Sequence, residues 1–240
     1  MDRSIVAAAV LAIGLAIGGG LVGNGFARGR SSDRYVEVKG LAEREVAANL
    51  ALWPLRFAAS GNELAAAQAQ ITRSHKEVLA FLERNGIPPS ATEIQSLQVT
   101  DSTTQRYGPE RPGAPRFIIE QTVMVRFDKP EVVQAASQKV SDLVSAGIVL
   151  SSSGDYSGGP TFIFTGLNAL KPKMIAEATA NARASAEQFA SDSGSALGAI
   201  RQANQCVFVI LPRDQAPGAN EASQLRKIVR VVSTVQYFLD

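Results

Sequence analysis

The chain has 240 residues, of which 45% are hydrophobic, and its 24 basic side chains nearly balance its 22 acidic ones. This composition is typical of a folded protein with a sizeable core, and it excludes disorder over the whole chain. The near-even charge leaves no excess positive field for a polyphosphate backbone, so nucleic acid is not an expected partner. One cysteine and one histidine are too few to build a His/Cys zinc site, and a lone cysteine cannot form an internal disulfide.

An uncharged apolar segment, residues 4–27, lies near the start of the chain. Its length predicts either a membrane anchor, as a transmembrane helix, or a secretory signal that is cleaved, and both alternatives stay open. Gly14 and Gly18 have the spacing that lets two membrane helices approach closely, although glycine is common in such segments for other reasons. Only one basic residue, Arg3, precedes the segment, whereas Arg28, Arg30 and Arg34 follow it, so the positive-inside rule places the folded domain in the cytoplasm. The short apolar core is typical of a secretory signal and favours export.

This segment determines the expected domain organisation. We predict a signal or anchor over residues 1–28, a polar linker over 29–33, and one folded domain over 34–240. The folded domain is expected in the periplasm, either tethered to the inner membrane or released after cleavage of the signal.

From residue 34 onwards the chain alternates between strand and helix patterns. Period-two alternation predicts strands, and apolar residues three or four apart predict helices. The predicted helices lie between Asn62 and Asn85, over 131–146 and over 172–193; the predicted strands are 34–40, 46–59, 92–99, 117–127, 148–152, 161–166, 200–211 and 228–239. The order strand, strand, helix therefore occurs three times before a final strand pair. Adjacent strand pairs favour antiparallel sheets with helices packed on one side, which is an α+β fold.

The third predicted helix is rich in alanine, including Ala178, Ala182 and Ala186. Small side chains allow a helix to pack closely on a sheet or on another subunit, and both alternatives are considered. Arg183 and Glu187 lie four residues apart, which most simply stabilises the helix itself. If the alanine face packs between subunits, this pair would instead fix the register of the contact.

Several segments together resemble a known family. The alanine-rich helix has Arg183 in its middle and is followed by a Gly and a Leu-Gly pair before a strand. The opening Val-Glu-Val-Lys-Gly at 36–40, the helix end at 82–87 ahead of 94–97, and the valine-rich closing strand are also similar. In these features the chain resembles the SIMPL domain family over residues 34–240.

The resemblance implies a bacterial envelope protein, usually periplasmic, with an N-terminal export signal or anchor. It also implies a capacity for homo-oligomer formation, and some members are linked to oxidative-stress tolerance. The family brings no catalytic residues to this sequence. We therefore expect no enzyme activity, no cofactor and no metal.

Four further features could carry chemistry, and each has a simpler explanation. His75 lies among charged neighbours, so a solvated side chain is expected. Cys206 lies in an apolar strand, where a structural role is favoured over redox sensing. The serine-rich stretch 151–154 lacks the G-x-S-x-G pattern of a nucleophile turn. Glu43 and Glu45 would share the solvent face of a strand, where carboxylates are common.

The main functional hypothesis is a non-enzymatic envelope protein that forms a homo-oligomeric scaffold and is linked to oxidative-stress tolerance. The alternative is a periplasmic binding or adaptor module for a peptide, protein or small ligand, which would use the loops 107–115 and 212–224. An enzyme ranks third, because its residues would have to converge in three dimensions without a sequence signature.

Overall fold

The computed structural model describes residues 12–23, 34–104, 114–151, 159–204 and 207–240. Helices and strands follow one another along these residues in a mixed order. The helices are α1 (12–23), α2 (Leu64–Arg84), α3 (Pro130–Ser137), α4 (Ser141–Ser145) and α5 (Leu167–Asp192). The strands are β1 (Tyr35–Ala47), β2 (Leu50–Gly61), β3 (Thr92–Asp101), β4 (Phe117–Phe127), β5 (Val149–Leu150), β6 (Thr161–Ile163), β7 (Leu197–Asn204), β8 (Phe208–Pro212) and β9 (Arg226–Leu239).

The strands form two antiparallel sheets, which confirms the predicted α+β fold. One sheet has the order β1-β9-β7, with β8 also paired to β9. The other has the order β3-β4-β2-β5, with β6 also paired to β2. Only some neighbours in sequence are neighbours in space: β3 and β4 form a hairpin, whereas β1 pairs with the last strand and not with β2.

The described chain divides into two compact units. The terminal unit draws on Met1–Glu43, Lys171–Val209 and Arg230–Asp240. The central unit consists of Arg44–Leu170 and Ile210–Val229. Each unit contains its own cluster of buried apolar side chains.

The central unit is built on β2, which alternates buried and half-buried residues along its length. Its buried side chains include Trp53 and Phe57, which pack with Ile71, Val78 and Phe81 of α2. These helix residues lie seven and three residues apart, so they fall on one face of α2 and form an apolar stripe that covers the sheet. β4 pairs with β2 along its whole length and adds its own buried residues to the same core.

Pro54 lies in the middle of β2 without disrupting the sheet. On one side β2 pairs with β4, opposite Met124. On the other side the two short strands pair only with Leu50–Leu52 and Phe57–Ala58, so Pro54 lies between these pairings. A proline cannot donate a backbone hydrogen bond, and this position requires none from a second partner strand.

The terminal unit is built on α5, whose buried side chains recur every fourth residue. The stripe consists of Met174, Ala178, Ala182, Ala186 and Ala190. The residue opposite it on β1 is Gly40, where an added Cβ would overlap the carbonyl oxygen of Ala178 and the backbone nitrogen of Ala182. The small side chains therefore bring the helix backbone close to the backbone of the sheet.

Several predicted boundaries differ from the structure; for example, the strand predicted over 34–40 extends to Ala47. The helix predicted over 131–146 is two shorter helices, α3 and α4, joined by a turn. The third predicted helix begins at Leu167, so Pro172 lies in its second turn rather than at its start. The strand predicted over 200–211 is the two strands β7 and β8. Pro172 lacks the N–H that would donate to the carbonyl of residue 168, so α5 forms one hydrogen bond fewer near its N-terminus.

The prediction of membrane attachment through the N-terminal apolar segment is wrong. Helix α1 is described over residues 12–23. Among the residues that the structure describes, no helix is long and apolar enough to cross a membrane. Gly14 and Gly18 lie on α1, and nothing comes within 4 Å of a Cβ built on either. Residues 24–33, which contain the predicted linker, lie outside the described part.

Candidate interaction surface on strand β3

Strand β3 lies at one end of the described sheet of the central unit, with β4 on one side only. Its three large apolar side chains are half exposed or more: Ile94 at 58%, Leu97 at 53% and Val99 at 50%. An end strand also presents backbone N–H and C=O groups on its outer side, which can pair with another chain. Within the described residues, β3 therefore combines an open edge with an apolar surface.

The three apolar side chains point to the helix-covered face of the sheet. Ile94 lies opposite Val123 and Val99 lies opposite Ile119, and both partners on β4 are fully buried in the core under α2. Residues directly opposite each other in an antiparallel pair share a face. Because α2 packs chiefly on β2 and β4, this face is left uncovered at β3.

The strand lacks the features that usually protect an edge. Residues 94–100 contain no charged side chain and no proline, and charge appears only at Glu93 and Asp101. The pairing with β4 shifts register once, between Ile94 and Ser96, and is regular from Ser96 onwards. Lysine, proline and strong bulges are the common devices against edge pairing. The regular half of β3 contains none of them.

A cluster of hydrogen bonds around Asp101 holds the C-terminal end of β3. The Arg116 guanidinium donates to the Asp101 carboxylate at 3.2 Å, and the Thr103 hydroxyl donates to the same carboxylate at 2.7 Å. The Ser102 amide donates to the Arg116 carbonyl at 2.8 Å. The hydrogen bonds from Arg116 and Thr103 lower the pKa of Asp101 from its ordinary 3.8 to about 2. These hydrogen bonds join the two ends of the segment that connects β3 to β4.

The residues of the alanine-rich helix lie on two different faces of α5. Ala178, Ala182 and Ala186 are completely buried within the terminal unit, so the close packing is on the chain's own sheet. Arg183 and Glu187 point outwards, and the Arg183 Nε donates to the Glu187 carboxylate at 2.9 Å. They form an exposed ion pair within one helix, as the simpler interpretation expects.

The other candidate residues do not converge on one place. His75 lies half-buried on α2, and burial lowers the pKa of its imidazole below 6.5. Glu43 pairs with Arg230 in the terminal unit, whereas Glu45 pairs with Arg226 at 3.5 Å in the central unit. Among the described residues, no three His, Cys, Asp or Glu side chains lie close enough to hold a metal ion.

Three candidates lie wholly or mostly outside the described residues. Cys206 and the greater part of the serine-rich stretch 151–154 are not among them, and neither is most of the loop 107–115. The loop 212–224 is described, and Gln224 ties it together through hydrogen bonds with the backbone of Asp214 at 3.0 and 3.1 Å.

The edge surface on β3 was not anticipated from the sequence. The sequence pattern predicts an ordinary strand here, since such a pattern does not tell which strand lies at the end of a sheet. The available signal was the uncharged run from Ile94 to Thr100 in a strand that follows directly on a short turn.

The family model for SIMPL, described as a protein of unknown function (DUF541), matches residues 36–235. No curated protein matches the sequence significantly. Among solved structures, one similar chain is an uncharacterized conserved protein from Listeria innocua, with 12% sequence identity, coverage of 80% of this chain and 91% of that chain, and a TM-score of 0.18. A similarity at that TM-score carries no argument about fold or function.

The family match extends over most of the chain, from the second residue of β1 into β9. The resemblance seen in the alanine-rich helix and the opening strand is thereby confirmed. The chain belongs to the SIMPL family.

Proposed function

We propose that the protein is a non-enzymatic component of the bacterial envelope that assembles with copies of itself through strand β3. The observation that supports this most directly is the uncharged, half-exposed apolar stripe of Ile94, Leu97 and Val99 on an open sheet edge. Contiguous apolar surface on a soluble protein marks an interaction site or an aggregation hazard. The envelope location and any role in oxidative-stress tolerance are supported by the family resemblance alone.

A second copy of β3 fits this edge better than an arbitrary partner, because the strand is self-complementary. In an antiparallel pairing about a two-fold axis at Gln98, Leu97 of one copy lies opposite Val99 of the other. Ser96 lies opposite Thr100 in the same pairing, and no charged residue faces another between these positions. The two-fold axis thus generates two apolar pairs on one face of the sheet and two polar pairs on the other face.

The first test is the mass of the purified chain in solution, measured by light scattering during size exclusion. A single chain has a mass of 25.4 kDa. We expect a discrete particle at a whole multiple of that mass. A single-chain particle at tens of micromolar protein would contradict the proposal.

The decisive variants are at Gln98, which faces itself across the proposed axis. Gln98→Lys and Gln98→Glu each place two like charges opposite one another, so each variant alone should associate at least ~10-fold more weakly, about 1.4 kcal/mol. An equimolar mixture of the two should associate again, because opposite charges then meet. The mixed pair is detected by native mass spectrometry, since the two variants differ in mass.

Val144→Lys is the matched control. Val144 is an apolar residue on α4 that is 57% exposed, similar to the residues of β3, but it lies away from the edge strand. We expect the control to keep the wild-type mass. Assembly that survives in both Gln98 variants would exclude pairing through β3 even if the protein is oligomeric.

A further inference from the structure

A polar cleft of about 390 Å³ lies in the central unit, between α2 and the turn that joins α4 to β5. Its volume falls in the range of clefts that bind small molecules, ~300–1,000 Å³. Five of its lining residues come from α2: Gln70, Arg73, Ser74, Lys76 and Glu77. The turn at residues 146–148 forms the opposite wall.

The α2 side of the cleft is rich in hydrogen-bond donors. The Arg73 guanidinium, the Lys76 ammonium, the Ser74 hydroxyl and the Gln70 amide can all donate, whereas Glu77 can only accept. Basic groups therefore outnumber acidic ones on this wall. In a chain whose total charge is nearly balanced, this is a local concentration of positive charge and donors.

These side chains have no partners in the described part of the chain. None of the five forms a hydrogen bond or an ion pair there with another protein group. Arg73 and Glu77 lie four residues apart, a spacing at which a helix commonly forms an ion pair, yet they remain separate. The groups are thus available to a molecule in the cleft.

Ser74 is the most informative member of the set. It is only 8% exposed, and it lies on the cleft wall beside the buried Ile148. Its hydroxyl oxygen is open to the cleft, since it is not one of the fully enclosed polar atoms that lack a partner in the described part of the chain. The Ser74 hydroxyl can therefore donate a hydrogen bond to a molecule bound in the cleft.

We propose that this cleft binds a small molecule through an oxyanion group, a carboxylate or a phosphate. Arg73 and Lys76 contact the anionic oxygens, and a guanidinium can donate two parallel hydrogen bonds to such a group. Ser74 and Gln70 donate to the same group, while Glu77 accepts from a hydroxyl or ammonium elsewhere on the ligand. This site lies apart from β3 and is independent of the proposed assembly.

The single histidine of the chain provides a direct probe. His75 follows Ser74 on the helix that forms the wall, so its imidazole proton resonances can be followed without assigning the spectrum. Burial lowers the pKa of His75, so the ring is mostly neutral at the pH of 7.5 used for the titration.

The experiment titrates the full chain with inorganic phosphate in one arm and succinate in the other, at pH 7.5 and constant ionic strength set with chloride. We expect a saturable shift of the His75 resonances in at least one arm, which also tells the two oxyanion sources apart. Arg73→Gln should weaken binding at least ~10-fold, and Ser74→Ala should weaken it ~5-fold, which corresponds to about 1 kcal/mol.

Arg84→Gln is the matched control, since Arg84 lies on the same helix but outside the cleft. It should bind like the wild type, and the fluorescence of the single, buried Trp53 verifies that each variant is folded. The proposal would be overturned if the His75 shifts rise linearly with anion concentration and equal those seen with chloride. It would also be overturned if the wild type and Arg73→Gln give equal shifts. Because no readout depends on particle mass, this outcome leaves the assembly proposal unaffected.

Discussion

At the scale of single residues, the central unit contains a completely buried lysine. Lys227 on β9 is 0% exposed, and its ammonium donates to the Glu221 carboxylate and, at 2.6 Å, to the Glu221 backbone carbonyl. Glu221 begins a short 3-10 turn in the loop before β9. A buried charge is tolerated only when it is paired and hydrogen-bonded. This pair therefore ties the loop to the strand that follows it.

Removal of the acidic partner should destabilise the central unit. We expect Glu221→Ala to lower the free energy of unfolding by about 2 kcal/mol, because it leaves the ammonium buried with only a carbonyl partner. The effect is smaller than for a fully enclosed pair, since Glu221 is about one-third exposed. Denaturant unfolding followed by Trp53 fluorescence measures the change.

The double variant Glu221→Ala with Lys227→Met is the control for this prediction. It removes the charge together with its partner, and methionine keeps most of the apolar volume. We expect it to recover most of the lost stability. A double variant as unstable as Glu221→Ala would mean that the loop, and not the buried charge, accounts for the loss.

Asp101 gives a prediction for pH dependence. Its folded-state pKa of about 2 lies below the ordinary 3.8, so the ionised carboxylate stabilises the fold above pH 3.8. That contribution is lost as the pH falls from 3.8 towards 2. Arg116→Gln removes the largest cause of the shift and should raise the pKa of Asp101 towards 3.8, measured by NMR titration of the carboxyl. The hydrogen bonds from Thr103 stay in place, so a pKa that does not rise would assign the shift to Thr103.

At the scale of elements, the contact between α5 and β1 depends on a glycine facing alanines. An added methyl group at Gly40 would overlap backbone atoms of Ala178 and Ala182, which cannot move without shifting the helix. The Asn181 amide also donates to the Leu41 carbonyl at 2.8 Å, which fixes the helix against this strand. The close approach thus rests on both packing and a hydrogen bond.

Gly40→Ala should therefore lower the free energy of unfolding by about 3 kcal/mol or more, since overpacking against backbone is costly. Circular dichroism during chemical denaturation measures the loss. Gly61→Ala is the control, because a Cβ there would meet its neighbours at 3.5 Å or more, an ordinary contact distance. Equal stability of the two variants would show that α5 adjusts freely to its sheet.

At the scale of the whole molecule, the chain combines balanced charge with an apolar sheet edge. Its near-neutral net charge provides little repulsion between copies, so nothing in the overall charge opposes self-association. Residues 94–100 of β3 are themselves uncharged. The particle mass and the paired Gln98 variants therefore test a property of the whole molecule, whereas the cleft on α2 is tested within a single copy.

Local patterns predicted most of the elements but not their partners. The alternation of β2 and the apolar stripe of α2 identified both elements closely, because buried residues must recur with the period of the element that carries them. The pairing of β1 with β9 had no local signal, since the contact joins opposite ends of the chain. The cleft was equally hidden, because Arg73 and Ser74 meet residues 146–148 only after folding.

The sequence by itself determined the family, the α+β class, and the alanine-rich helix that packs closely, because these depend on residue type and spacing along the chain. Only the tertiary structure decided that Ala178, Ala182 and Ala186 pack against the chain's own sheet, that β3 lies at an open edge, and that a donor-rich cleft forms beside α2. The structure also corrected the membrane attachment predicted for the N-terminal segment. The physical reason is that exposure depends on which elements cover one another, and that is settled by contacts between residues far apart in sequence.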